Sequence, residues 1–207
     1  MLTMFLAGAA SSLTAPNLRN VLSLDDYPRW ALDQEAYAAA LVDVSVDSTG
    51  VITNCRTIST IGSDRLGKEL CKIVSRRHVT PARDTSGKPA PSRVSTMLTM
   101  FTWPPREDIL KYEPSPDVVL IVQKLPRANT TVNVDVVIEA EPSGVVSNCA
   151  SAKTDANAPL VKAACGSLLG STLDEKQAVP FVTTRKVQFK TEASPSQPPN
   201  NSAANPR

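Results

Sequence analysis

The stretch STGVITNC at residues 48–55 returns as PSGVVSNC at residues 142–149, an offset of 94 positions. The same offset carries Leu66 onto Leu160 and Cys71 onto Cys165, so both halves separate their two cysteines by 16 positions. Self-similarity at one long period is typical of a chain that contains two copies of a supersecondary unit. The sequence therefore predicts two tandem modules that are built alike.

Each module is predicted to begin with a β-hairpin. Apolar and polar residues alternate over residues 41–47, which is the pattern of a half-buried strand. One face takes Val42, Val44 and Val46, and the other takes Asp43, Ser45 and Asp47. Gly50 can adopt a positive φ in the turn, and the β-branched residues of 51–58 suit a returning strand. The second copy repeats the pattern with Val132, Val134, Val136 and Ile138 before a turn at residues 142–144.

The apolar period then changes from two to about 3.6, which indicates a helix after each hairpin. The first helical stripe consists of Leu66, Leu70, Ile73 and Val74, with Ser63 or Asp64 as the candidate N-cap. The second stripe is thinner and consists of Leu160, Ala164 and Leu168, with Asp155 or Asn157 as the candidate N-cap. A turn-rich loop at residues 82–92 leads to a final strand at 93–103, whose counterpart is 183–192.

The predicted fold class is α+β, in which each module is a small antiparallel sheet with a helix packed on one face. Module 1 spans residues 25–103, a proline-containing linker spans 104–117, and a degenerate module 2 spans 118–192. The run VVLIVQK at 118–124 has the composition of a strand, but the sequence does not predict its pairing. The polar tail at 193–207 is expected to be disordered because it cannot bury enough apolar surface.

Composition and charge argue against two classes of partner. The formal net charge of +2 lacks the basic surplus of a protein that binds nucleic acid through its phosphates. No apolar run approaches the roughly 20 residues that cross a bilayer as a helix.

Residues 1–15 resemble a secretory signal, because a short apolar core precedes the small residues AGA at 7–9. We therefore expect export, with the residues up to about 15 removed and belonging to no fold.

The four cysteines are predicted to form two disulfides. Each copy places one cysteine on the second hairpin strand and one on the following helix, so the sulfurs meet if both face the interface between the two elements. An even number, a duplicated spacing and a signal-like start favour the pairs Cys55 with Cys71 and Cys149 with Cys165. The alternative is four buried free thiols. A zinc site is disfavoured because the chain has no Cys-x-x-Cys pair and a single histidine, His78.

The sequence does not predict an enzyme, a metal or a cofactor. His78 follows Arg76 and Arg77 at a helix end, where cations suit the helix dipole without any catalytic role. Asp25 and Asp26 precede a helix start and are expected to act as caps or solvated charges. The chain contains no phosphate-binding glycine motif and no nucleophile elbow.

The order of these motifs resembles a known family. Tyr27-Pro28, the stretch DSTGVITNC, the helix LGKELCKIV, the loop PARDTSGKP and a strand that ends in FTW are together similar to the C-terminal domain of TonB-family energy transducers. The cysteine pair is similar to that of a two-cysteine variant in TonB-like proteins of alphaproteobacteria. The resemblance covers residues 25–103 and is weaker in the second copy, which lacks the PARD segment.

The resemblance implies a periplasmic protein that binds another protein. In that family an extended segment of an outer-membrane receptor adds to the edge of a three-stranded sheet, so that backbone hydrogen bonds supply the affinity. By analogy the receiving edge is residues 93–103. The contacts expected from it are Arg93, Ser95, Met97, Thr99, Phe101 and Trp103.

Two further interpretations stay open at this point. The first is a structural envelope protein, in which the two modules pack together and no peptide is bound. The second is a full energy transducer whose N-terminal membrane helix is missing from these residues. Fold likeness does not by itself decide among the three functions.

Overall fold

The two repeated stretches form the turns and returning strands of two β-hairpins, and each hairpin is followed by a helix that packs on it. These elements were located in a computed structural model, which describes residues 12–102, 107–126, 130–153 and 156–191. The expected tail and most of the signal-like segment lie outside these ranges. The first hairpin consists of β1 (Ala38–Val46) and β2 (Ile52–Gly62), joined by a turn in which Gly50 has a φ of 93°.

The rest of the first half follows the predicted order. A 3-10 turn (Leu24–Asp26) and helix α1 (Arg29–Asp33) precede the hairpin, and α2 (Asp64–Val74) follows it. The hydroxyl of Ser63 accepts a hydrogen bond from the Leu66 N–H at 3.3 Å and caps α2. The turn-rich loop contains two short strands, β3 (Ala82–Arg83) and β4 (Pro89–Ala90), and ends in β5 (Ser92–Met100).

The second half shows the same order of hairpin, helix and final strand. Its elements are β7 (Thr131–Ala140), β8 (Val146–Ser151), α4 (Ala158–Leu168) and β9 (Phe181–Thr191). The Asn157 side chain accepts a hydrogen bond from the Leu160 N–H at 3.3 Å, so Asn157 is the cap. The predicted linker contains helix α3 (Glu107–Lys111), and the strand of unpredicted pairing is β6 (Val118–Val122).

Each hairpin is tied to its helix by a disulfide. Cys55 is bonded to Cys71 and Cys149 to Cys165, with the Cα atoms 5.4 Å apart in both pairs. In the first half the register places Cys55 opposite Val44, on the face of the hairpin that α2 covers. The structure therefore contains the two pairs expected from the spacing, and none of the four cysteines is a free thiol.

The strands of both halves form one sheet. Among the described residues its order is β2-β1-β5-β9-β7-β8, with β6 paired to β9 in addition. Pairing is antiparallel within each half, whereas β5 and β9 join the halves in parallel through the partners Ser92 with Val182 and Arg93 with Thr183. The expectation of a separate small sheet in each module is thus replaced by a continuous sheet.

The two long helices lie on opposite faces of this sheet. Register partners in a parallel pair point to the same face, so Val182 shares the face of Ser92 and Leu98, which α2 covers. Val187 and Phe189 are an odd number of residues from Val182 and therefore point to the other face, which α4 covers. We call these the α2 face and the α4 face.

The core is mainly aliphatic, with Tyr27, Phe181 and Phe189 as buried aromatic residues, and it has three parts. One lies under α2, one lies under α4, and the third joins the two halves on the α2 face. The third part consists of Leu13, Ala82, Ala90, Val137 and Val182. Because Leu13 is only 3% exposed, residues 13–15 belong to the fold, which corrects the expectation that residues up to about 15 do not.

Residues 107–122 are more than a spacer. The Tyr37 hydroxyl donates to the Asp108 carboxylate at 2.8 Å, and the hydroxyls of Ser59 and Tyr112 lie 3.4 Å apart, so α3 is held against the first hairpin. Strand β6 runs parallel to β9 and pairs with residues 187–191, beyond residues 182–183, where β5 pairs with β9. The linker therefore connects the halves through packed structure.

Candidate functional site

The edge of β5 is only partly occupied. Strand β1 pairs with all of β5, but on the other side β9 pairs with Ser92 and Arg93 alone. Residues 94–100 of β5 therefore have one side without a strand partner in the part of the chain that the structure describes. We call this side the open edge. An unpaired row of backbone groups is a template for a further strand.

The hydrogen bond at the junction shows which backbone groups point to the open edge. The Val182 N–H donates to the Pro91 carbonyl at 2.9 Å, so odd-numbered residues of β5 direct their backbone groups to this side. The N–H and C=O groups of Ser95, Met97 and Thr99 consequently point to the open edge. The side chains of these three residues lie on the α4 face, where Met97 is half-buried and the other two are exposed.

The structure separates the six residues that the sequence assigned to this edge. Ser95, Met97 and Thr99 line it, and Phe101 follows the end of β5 and is half-buried. Trp103 lies outside the described residues. Arg93 lies outside the open edge, which differs from the prediction, because its backbone already pairs with Thr183 and its guanidinium binds Asp43.

A groove lies beside the open edge on the α2 face. It has a volume of about 390 Å³ and lies between residues 15–19 and residues 94–98, with Thr184 of β9 also lining it. A second depression of about 380 Å³ lies between residues 22–27 and 99–101. Together the two hollows follow the open edge along its whole length.

The wall opposite β5 is the N-terminal segment, residues 12–27. Leu18 and Val21 pack into the core under α2, and backbone hydrogen bonds join Thr14 to Arg83 and Asn17 to Thr80. No sequence motif placed this segment in the site. Its spaced apolar residues Leu13, Leu18 and Val21 were the one available signal, and they fit no periodic element.

A cluster of charged side chains, Asp43, Arg56 and Arg93, lies next to the start of the open edge on the α4 face. The Asp43 carboxylate accepts from Arg93 Nε at 3.0 Å and from Arg56 at 3.4 Å, and its side chain is 8% exposed. Burial alone would raise the pKa of Asp43, but the hydrogen bonds and charges of Arg93 and then Arg56 outweigh it, so the pKa lies below its ordinary value. The cluster holds β1, β2 and β5 together at the point where β9 joins the sheet.

The other titratable residues singled out in the sequence do not form a reactive site. Asp26 accepts from the Ser23 N–H at 2.8 Å and binds Arg77, and the Ser23 backbone bond is the main cause that lowers its pKa. His78 is exposed and forms an isolated bridge with Val51. Within the described ranges no group of three or more His, Cys, Asp or Glu residues is placed to hold a metal.

The part of the chain that contains the open edge matches a known family. Residues 25–102 match the family described as the C-terminal part of the Gram-negative bacterial TonB protein. The match includes both strands of the first hairpin, α2 and all of β5, and it ends before the second half. No curated protein and no solved structure matches the chain. No helix in the described part of the chain combines the length and the apolar character needed to cross a membrane.

Proposed function

We propose that this protein is a periplasmic protein-binding module that captures an extended segment of a partner protein at the open edge of β5. The observation that carries the proposal is the unpaired side of residues 94–100, which lies beside a groove and within the residues that match the TonB C-terminal family. An extended segment added to a sheet edge gains affinity from backbone hydrogen bonds and selectivity from alternate side chains.

The dimensions of the edge suit a short segment. Seven residues of strand span about 23 Å, and the three outward-facing residues offer three donors and three acceptors in alternation. A partner strand would direct half of its side chains into the groove on the α2 face and the other half over Met97 on the α4 face. The edge is therefore suited to a linear segment of about seven residues.

The envelope is the proposed location. The two disulfides persist in an oxidising compartment such as the periplasm, and they tie small modules that have few aromatic residues in their cores. The family match supports a partner that is itself an envelope protein, and the family analogy favours a segment of an outer-membrane receptor.

A purely structural role is the second candidate, and one observation favours it. Strand β9 already covers Ser92 and Arg93 at the start of the edge, so the second half occupies part of the site that a partner would use. In this role the halves would serve only to cover each other.

The test uses a proline at the outward-facing amide of Met97. A fluorescent peptide of alternating threonine and valine is titrated against the wild type, Met97→Pro and Met97→Ala. Proline removes an edge donor without touching the bonds to β1, so we expect it to weaken binding about tenfold. Met97→Ala keeps the amide and serves as the matched control.

Hydrogen exchange locates the bound peptide. We expect the amides of Ser95, Met97 and Thr99 to exchange more slowly when the peptide is present. A folded Met97→Pro variant that binds like the wild type, or unchanged exchange at these amides, would contradict binding at the open edge and favour the structural role.

A further inference from the structure

We infer that the groove beside β5 selects a partner segment with an acidic side chain, which Arg19 recognises. The inference rests on the proposed function, because it concerns what the same edge binds. It adds a chemical requirement that lies outside the residues that match the TonB family, since Arg19 precedes residue 25.

Among the described residues, Arg19 is the single charged one that lines the groove. The other lining residues are Ala15, Pro16, Asn17, Leu18, Val94, Ser95, Thr96, Met97, Leu98 and Thr184. A groove with apolar and neutral polar walls and one cation offers one strongly preferred contact, and that contact is with an anion.

The charge of Arg19 is not neutralised by any residue that the structure describes. The ion pairs among the described residues do not include Arg19. An adjoining hollow on the other side of Arg19 is lined by Asp26, Arg77 and His78 as well. Its one carboxylate, Asp26, is already bound to Arg77 and to the Ser23 backbone and hydroxyl, so Arg19 remains available.

The position of Arg19 fits the geometry of an added strand. Leu18 packs on the α2 face together with Leu98, so residues 15–19 stand over the side of the open edge that receives alternate side chains of the partner. A carboxylate on one of these side chains can accept two hydrogen bonds from the guanidinium. Side chains on the opposite face of the partner strand pass over Met97, which favours apolar residues there.

A single arginine matches a single negative charge. Phosphate groups in proteins are usually held by several cations or by a row of backbone amides, and no second cation in the described ranges lines this groove. The side chain of an aspartate or a glutamate is therefore the predicted ligand group.

The experiment compares two peptides that differ in one group. Peptides of alternating threonine and valine carry either a glutamate or a glutamine at their centre, and both are titrated against the full protein by fluorescence anisotropy. We expect the wild type to bind the glutamate peptide about threefold more tightly, as a partly exposed ion pair allows. The preference should disappear in Arg19→Gln, reverse in Arg19→Glu, and persist in Arg29→Gln, a control on an exposed arginine outside the groove.

The outcomes separate this inference from the proposed function. Equal binding of the two peptides to the wild type, with weaker binding of both to Met97→Pro, would overturn the charge preference and leave the edge as a binding site. A preference that survives Arg19→Gln would assign the charge effect to another residue and also overturn the inference. Failure of both peptides to bind the wild type would overturn the proposed function, and the acidic preference with it.

Discussion

At the scale of single residues, Asp43 is notable because it is a charged residue that is buried in the sheet. The sequence places it on the polar face of β1, yet the residue is buried because Arg93 and Arg56 fold over that face. A buried charge is tolerated only when it is paired and hydrogen-bonded. Asp43 and Arg93 therefore act as one unit that joins the central strands.

We expect Asp43→Asn to destabilise the protein by about 2 kcal/mol, because Arg93 loses its charged partner while remaining only about one third exposed. Urea unfolding measures the change. Glu69→Gln removes one partner of an exposed pair at 3.3 Å and serves as the control, with an expected effect within about 0.5 kcal/mol. If both variants lost a similar free energy of unfolding, the result would contradict the claim that the buried pair stabilises the protein more than the exposed one.

Because the pKa of Asp43 is lowered in the folded state, the stability difference between the wild type and Asp43→Asn depends on pH. Asp43 stabilises the fold fully above its ordinary pKa of 3.8, and the contribution is lost as the pH falls below that value through the lowered pKa of the folded state. The gap in stability between the wild type and Asp43→Asn should therefore narrow between about pH 5 and about pH 2. A gap that is constant over this range would contradict an ionised Asp43.

At the scale of elements, each of the two long helices contains a glycine, and the two glycines have opposite surroundings. Gly67 faces Thr60 of β2, and a Cβ at this position would lie 2.7 Å from Thr60 Cγ2. In α4, a Cβ on Gly166 would meet no atom within 4 Å. Gly67 is buried where α2 packs on its hairpin, whereas Gly166 lies on the exposed side of α4.

We expect the same substitution to have opposite signs in the two helices. Gly67→Ala should destabilise by about 1–3 kcal/mol, because a β-branched threonine cannot move aside. Gly166→Ala should stabilise by up to about 1 kcal/mol, because alanine is the better helix former and nothing opposes it. Chemical unfolding of both variants measures the two changes in stability. A gain in stability from Gly67→Ala would contradict the close packing of α2 on Thr60 of β2.

At the scale of the whole molecule, the halves share one sheet and a joint core on the α2 face. Leu13 lies in that core together with residues of both halves, and Thr85 of the first half donates to Glu139 of the second at 3.0 Å. Such contacts predict that the halves unfold together. The N-terminal segment is thus part of the connection between them.

We expect one cooperative unfolding transition, seen at the same midpoint by far-UV circular dichroism and by tryptophan fluorescence, which reports on the first half alone. Leu13→Ala should cost about 2–3 kcal/mol through the cavity it leaves. Leu24→Ala is the control, because Leu24 is 83% exposed, and its effect should be within about 0.5 kcal/mol. Separate midpoints for the two probes in the wild type would contradict a shared core.

Local patterns were sufficient to predict both hairpins, the two long helices and both cysteine pairs, and they narrowed each helix cap to two candidates, which included Ser63 and Asn157. Each of these depends on residues close together in the chain, where alternation, helical spacing and turn chemistry act directly. The final strands were also predicted, although β5 ends three residues earlier than expected, at Met100. The strict alternation of a strand also places Ser95, Met97 and Thr99 together on one side of β5. Their role in binding stays a prediction.

Contacts between distant parts of the chain decided the rest. The parallel pairing of β5 with β9 takes Arg93 out of the open edge, turns the two helices to opposite faces and merges the halves into one sheet. The burial of Leu13 and the placement of Arg19 beside the groove depend on the same arrangement. No sequence pattern records such pairings, because each arises from surfaces that meet only after the local elements have formed.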